Sequence, residues 1–129
     1  MTVRTVLVVE DDEDILALVT KRLRLDGYEV VEARDGEEAL ELARERQPTI
    51  AVLDLGLPGI DGLEVLRRIR ADDELNGMLV VLLTARAQEA DVRRGFDAGA
   101  DAYVRKPFSP TKLSESVSEL VKRQASGTA

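Results

Sequence analysis

Short, β-branched apolar runs recur along this chain with helical patterns between them, and this alternation narrows the available folds more than any other feature. The runs occupy 3–9, 28–33, 50–53, 79–83 and 102–104. Between them Ile15, Val19 and Leu23 recur at helical spacing, as do Leu66 and Ile69. Near the end, Leu113, Val117, Leu120 and Val121 give the i, i+4, i+7, i+8 stripe of a helix lying on a core. Five β–α units in strict alternation predict an α/β protein: a doubly wound, five-stranded parallel sheet, (βα)5, in three αβα layers.

Local punctuation agrees with these limits. Asp35 with Glu38, and Asp61 with Glu64, have the spacing of a helix N-cap and its reciprocal acid. Ser109-Pro110 reads as an N-cap followed by proline at the first helical position. Gly27 and Gly99 each follow a helical segment, where a left-handed cap is expected. The 129 residues suit a single domain over 1–124, with 125–129 expected to be a disordered tail or the start of a linker.

Composition removes several function classes. The net charge of −7 argues against a nucleic-acid-binding surface, which needs clustered Lys and Arg. No apolar run approaches the length of a membrane span. No secretory signal is visible, so the cytoplasm is the expected location. The chain has no cysteine and no histidine, which excludes disulfides, thiolate and imidazole metal sites, and triads with an imidazole base.

The chemistry-bearing residues gather at the carboxyl ends of the strands, where open parallel sheets place their working crevice. The first strand ends in Glu10-Asp11-Asp12, the third in Asp54, the fourth in Thr84-Ala85 and the fifth in Lys106-Pro107. Two carboxylates about 4 Å apart at an effective dielectric near 20 repel by roughly 4 kcal/mol, so such a cluster keeps a proton or takes a cation. An acid run after a strand can also do no more than complement a helix dipole, and a strand-end Asp is often a turn former. Lys106 adds a positive charge, Thr84 a hydroxyl and Ala85 an amide. Together they describe a pocket for a phosphoryl group on Asp54, with oxygen-only ligands that suit Mg²⁺ or Mn²⁺.

The stretches VLVVEDDEDI, AVLDLGLPGIDGLEVL, VVLLTAR and GADAYVRKPF follow one another in order. On these, the chain resembles the CheY-like receiver domains of bacterial two-component response regulators over about residues 3 to 123, a flavodoxin-like fold. The resemblance implies that Asp54 is the phosphoacceptor. It implies that Asp11 binds the metal directly, Glu10 through water, and that Asp54 and the Gly56 carbonyl complete the protein ligands. Lys106, Thr84 and the Ala85 amide would hold phosphoryl oxygens, and Tyr103 would turn inward as a switch once Thr84 moves. Asp12 is expected to cap a helix rather than ligate, and the Lys106-Pro107 bond to be cis. The only chemistry implied is on the chain itself, phosphorylation and autodephosphorylation. The donor would be a sensor histidine kinase or a phosphotransfer protein. The output would be the face of the fourth helix, fifth strand and fifth helix, meeting an effector domain or target protein. Neither direct nucleic-acid binding nor membrane contact is implied.

Two departures stand out. Gly56 lacks the side chain that usually shapes water access to the acyl phosphate. Val92, Ala102, Ser116 and Ser118 cannot form the ion pairs through which receivers of the winged-helix transcription factors dimerise. Away from the site, Phe96 and Phe108 read as core, Tyr103 taken alone as an ordinary half-buried aromatic, and Arg86 as solvated. A toprim-like metal nuclease would need a second acid in Asp54-Leu55-Gly56, and a flavin carrier would not place Glu10-Asp11-Asp12 in its phosphate loop.

Overall fold

The computed structural model describes residues 3–85 and 89–127. Each apolar run becomes a strand and each helical stripe the helix that follows it. The order is β1 (Thr5–Val9), α1 (Glu13–Leu25), β2 (Glu29–Ala33), α2 (Gly36–Arg46), β3 (Ile50–Asp54), α3 (Gly62–Ala71), β4 (Leu79–Thr84), α4 (Glu89–Asp97), β5 (Ala102–Arg105) and α5 (Pro110–Gly127). All strand pairs are parallel, in the order β2-β1-β3-β4-β5.

Strand periodicity of two divides the core between the faces of the sheet. Leu7, Val9, Ala51, Leu53, Val80 and Leu82 point to one side, where Ala39, Leu40, Val65, Leu66 and Ile69 of α2 and α3 cover them. Val6, Val8, Ile50, Val52, Val81 and Leu83 point to the other, under Leu16, Val19, Leu23, Leu113 and Val117 of α1 and α5. Because both faces are covered, the central strands are apolar throughout rather than alternating. On α1 the inward stripe runs through Leu16, Val19 and Leu23, with Ile15 only half-buried.

The helix ends form as the local sequence dictates. Asp12, Asp35 and Asp61 cap α1, α2 and α3, each accepting backbone N–H groups of the first turn. The reciprocal half of the capping box differs. Glu38 accepts from the Arg34 N–H at 3.0 Å, one residue before the cap, and Glu64 pairs with Arg67 and Arg68 instead. The Ser109 hydroxyl accepts from Lys112 N at 3.1 Å. Gly27 and Gly99 have φ of +97° and +109°, while α2 ends on Gln47 in the left-handed region (φ 43°) just before Pro48.

One expectation is corrected. Phe96 is 46% exposed on α4, not core, because α4 lies at the sheet edge and turns Gly95, not Phe96, toward Leu82. Phe108 does pack against the α1/α5 side. The backbone of α5 extends to Gly127.

Candidate functional site

The strand order reverses between β1 and β3, so a crevice opens outside their carboxyl ends. The register fixes what meets there. Val9 lies opposite Leu53 and Asp54 opposite Leu83, which brings Glu10 beside Asp54 and Thr84 one strand away. β5 pairs Arg105 with Thr84, and the Lys106 N–H donates to the Thr84 carbonyl at 2.8 Å. The Lys106-Pro107 peptide is cis, as the resemblance implies.

Lys106 reaches into the crevice. Its Nζ lies 2.5 Å from Glu10 Oε1 and 3.1 Å from Asp54 Oδ2. The other Asp54 oxygen accepts the Gly56 N–H at 3.0 Å, so both carboxylate oxygens are held. Glu10 and Asp54 are buried, at 1% and 6% exposure, whereas Asp11 is exposed at the mouth. One carboxylate oxygen from each of Glu10, Asp11 and Asp54 lies within 4.8 Å of the others. Asp12 is drawn off to the helix, where its Oδ1 accepts from Asp14 N at 2.9 Å and Ile15 N at 3.1 Å.

The electrostatics follow from three acids around one ammonium. Burial, and next the hydrogen bond with Asp54, push the Glu10 carboxyl up to about 7, against the pull of Lys106. Burial would also raise Asp54, but hydrogen bonds with Glu10, the Gly56 amide and Lys106 outweigh it and hold Asp54 below its ordinary value. Burial would lower Lys106, yet its two carboxylate partners win and hold it above its ordinary range. Asp54 is therefore ionised and Glu10 shares a proton at neutral pH. The cluster is short of positive charge.

A divalent metal fits this arrangement. The donors are all oxygen, they already converge, and the exposed side at Asp11 leaves room for water, which suits Mg²⁺ or Mn²⁺.

The remaining expected residues follow along β4 and β5. Thr84 closes β4 and is 2% exposed, with Ala85 after it at the surface. Tyr103 is half-buried on β5, on the side of α2, α3 and α4. An alanine Cβ at Gly56 would lie 3.7 Å from Asp54 Oδ1, so position 56 does flank the carboxylate. Arg86 lies outside the described residues. Two contacts carry no clear sequence signal. Arg34, after β2, pairs with Glu13 on the first turn of α1. Gly62 packs so tightly that a Cβ would lie 2.3 Å from the Asp54 carbonyl oxygen. A glycine directly after the Asp61 cap is the only local hint of it.

Comparison with known proteins agrees with this geometry. The family model described as "Response regulator receiver domain" matches residues 6–118. The transcriptional regulatory protein PrrA of Mycobacterium tuberculosis is 45% identical over 121 residues, 94% of this chain and 51% of that protein. The alkaline phosphatase synthesis transcriptional regulatory protein PhoP of Bacillus subtilis is 39% identical, over 93% of this chain and 49% of its own length. The chain thus spans about half the length of the curated relatives it matches. Among solved structures, a CheY-like receiver domain protein from Methanospirillum hungatei superposes with a TM-score of 0.91 at 30% identity, covering 98% of this chain and 99% of that one. With the five-stranded fold, the acid–lysine crevice and these matches in agreement, the chain belongs to the response regulator receiver domain family.

Proposed function

We propose that this receiver accepts a phosphoryl group on Asp54 from a phosphohistidine of a sensor histidine kinase or phosphotransfer protein, and that the acyl phosphate switches the α4–β5–α5 face for a partner. The observation that carries this is the buried, ionised Asp54 carboxylate, held 3.1 Å from Lys106 Nζ beside a cluster of acids able to bind a metal.

An Asp54 oxygen attacks phosphorus as the phosphorus–nitrogen bond of the donor breaks, and the electron pair leaves with the imidazole. Asp54 needs no base, because its neighbours keep it ionised. Glu10, Asp11, Asp54 and the Gly56 carbonyl would hold Mg²⁺ or Mn²⁺, which supplies positive charge against the incoming phosphoryl oxygens. Lys106 exchanges a carboxylate partner for a phosphoryl oxygen, and the Thr84 hydroxyl and Ala85 amide take the others. Tyr103 follows Thr84 inward. The chain's chemistry is confined to itself. On this reading it works in the cytoplasm, upstream of an effector domain or target protein and with no nucleic-acid or membrane contact of its own, and the receiver-domain match supports that. The names of its relatives, as transcriptional and DNA-binding regulators, support an effector of that kind. Among the described residues no helix is long and apolar enough to cross a membrane.

Intact-mass measurement with a small acyl phosphate and Mg²⁺ tests the reading. The wild type should gain one phosphoryl group, and Asp54→Asn, which keeps the shape and removes the nucleophile, should gain none. An Asp54→Asn chain phosphorylated at the wild-type rate would overturn the assignment.

A further inference from the structure

Arg70, in the last turn of α3, uses its guanidinium unlike a solvated surface arginine. Nε and Nη2 both donate to the Gly99 carbonyl, at 3.0 and 2.7 Å. Nη1 donates to the carbonyls of Asn76 and Met78, at 3.0 and 2.6 Å. Nη2 also lies 3.1 Å from Asp101 Oδ2, and that same oxygen accepts the Val80 N–H at 2.8 Å. One side chain therefore ties α3, the loop before β4, the start of β4 and the turn between α4 and β5. All of this lies at the opposite end of the strands from Asp54. A planar fork of five donors can satisfy such a set, and a point-charge ammonium cannot.

The α4 side of the clamp is built to receive it. The helix closes with Ala98 N donating to Arg94 O, Gly99 N to Phe96 O and Ala100 N to Gly95 O, each at 3.0 Å. Gly99 needs its φ of +109° for this turn, and a Cβ there would sit 2.8 Å from Arg70 Nε. The guanidinium thus lies directly against a helix C-terminus, where positive charge is favoured. Over its described residues 92–97, α4 buries little: only Gly95 is buried, facing Leu82 beside Tyr103, and Val92 is half-buried. A segment with so little buried apolar area opens locally at low cost unless something else holds it.

We propose that Arg70 is a positioning residue, whose clamp on Gly99 and Asp101 fixes the C-terminal end of α4 as the pivot about which the output face moves. The proposal rests on the reading that phosphorylation at Asp54 reorients that face. A change near Thr84 and Tyr103 then swings α4 about a held end, instead of unravelling it.

Amide hydrogen exchange on the unphosphorylated protein reads the clamp without any phosphoryl chemistry. In Arg70→Met, amides of residues 93–100 should exchange at least tenfold faster, with those of β1 and β3 unchanged within twofold. Arg70→Lys, which keeps the charge and loses the fork, should recover only part of the protection. Asp101→Asn should loosen the same amides to a lesser degree, and it stands in if Arg70→Met fails to fold. Phosphorylation followed by mass should stay within twofold of wild type in Arg70→Lys and Asp101→Asn, while the amide shifts that beryllofluoride induces in α4 fall by more than half. Unchanged protection of 93–100 in all three variants, or a loss spread evenly over the sheet, would overturn the proposal. Failure of the wild type to take up phosphate would instead strike the reading of Asp54 and leave the exchange result standing.

Discussion

Glu10 ties the stability of the unliganded protein to pH. Its folded carboxyl titrates at about 7 against an ordinary value of 4.5. Between those values the folded chain holds a proton that the unfolded chain has released. The stabilisation is complete below about pH 4.5 and is lost as pH rises through 7. In EDTA the melting temperature should fall by several degrees between pH 5 and 8, Mg²⁺ should restore much of it at pH 8 by mass action, and Glu10→Gln should flatten the profile. An equal slope in Glu10→Gln would assign the effect to other groups. Two residues beyond Asp54, the proposed phosphoacceptor, Gly56 poses a question of access. A Cβ there fits at ordinary contact distance from Asp54 Oδ1, so position 56 takes a side chain beside the carboxylate, and Gly56→Met is expected to cover one approach to it. Timed dephosphorylation should be slower in Gly56→Met, by about threefold or more, a barrier change near 0.7 kcal/mol. Unchanged decay would remove the steric account.

At the level of elements, α3 is the helix whose start is set by the site itself. Asp61 caps it through the Glu64 N–H at 2.9 Å, and Gly62 follows with its N–H on the Leu55 carbonyl at 3.3 Å. A Cβ at 62 would meet the Asp54 carbonyl oxygen at 2.3 Å and Leu55 Cα at 2.9 Å. Both are backbone atoms and neither can swing aside. Gly62→Ala should therefore cost more than a surface glycine replacement, on the order of 1–3 kcal/mol in urea unfolding, and slow phosphorylation by shifting Asp54. Gly77→Ala is the control, because nothing lies within 4 Å of its added Cβ. Equal stability losses in the two variants would show that α3 does not press on β3 as described. α1 and α5 are tied differently, by the Ser114 hydroxyl donating to Asp26 at 2.5 Å and Arg22 reaching Thr111 at 3.4 Å.

For the whole molecule, the proposed function puts the phosphoryl chemistry at one end of the sheet and the response along one edge. Thr84 ends β4, the strand paired with Asp54's, and Tyr103 lies on β5 opposite Leu82, with Phe96 exposed on α4 at that edge. Phosphorylation can shift the face only by its differential affinity for the two arrangements. Beryllofluoride with Mg²⁺ should therefore move amide signals around the site and along α4, β5 and the start of α5. Shifts confined to the site and α1 would count against this face as the output. Val92, Ala102, Ser116 and Ser118 lie on its elements without charge, so any self-association there would need contacts other than the ion pairs of winged-helix receivers.

Much of this was legible along the chain, because it depends on neighbours in sequence. Continuous apolar runs marked the five strands and stripes at 3.6-residue spacing three of the helices, and Asp12, Asp35, Asp61 and Ser109 marked helix starts through bonds that reach only two or three residues. The acids and Lys106 were recognisable as strand-end groups before their distances were known. What depended on the fold was which ends meet. Lys106 finds Glu10 across 96 positions, because the order β2-β1-β3-β4-β5 and the crossovers carry them to one crevice. The same holds for Arg70, whose target carbonyl lies 29 residues on, and for Phe96, apolar in composition yet left outside by the edge position of α4. Periodicity records which face of an element is apolar. Which neighbour covers that face, and which polar group a long side chain finds, is settled only when the layers close.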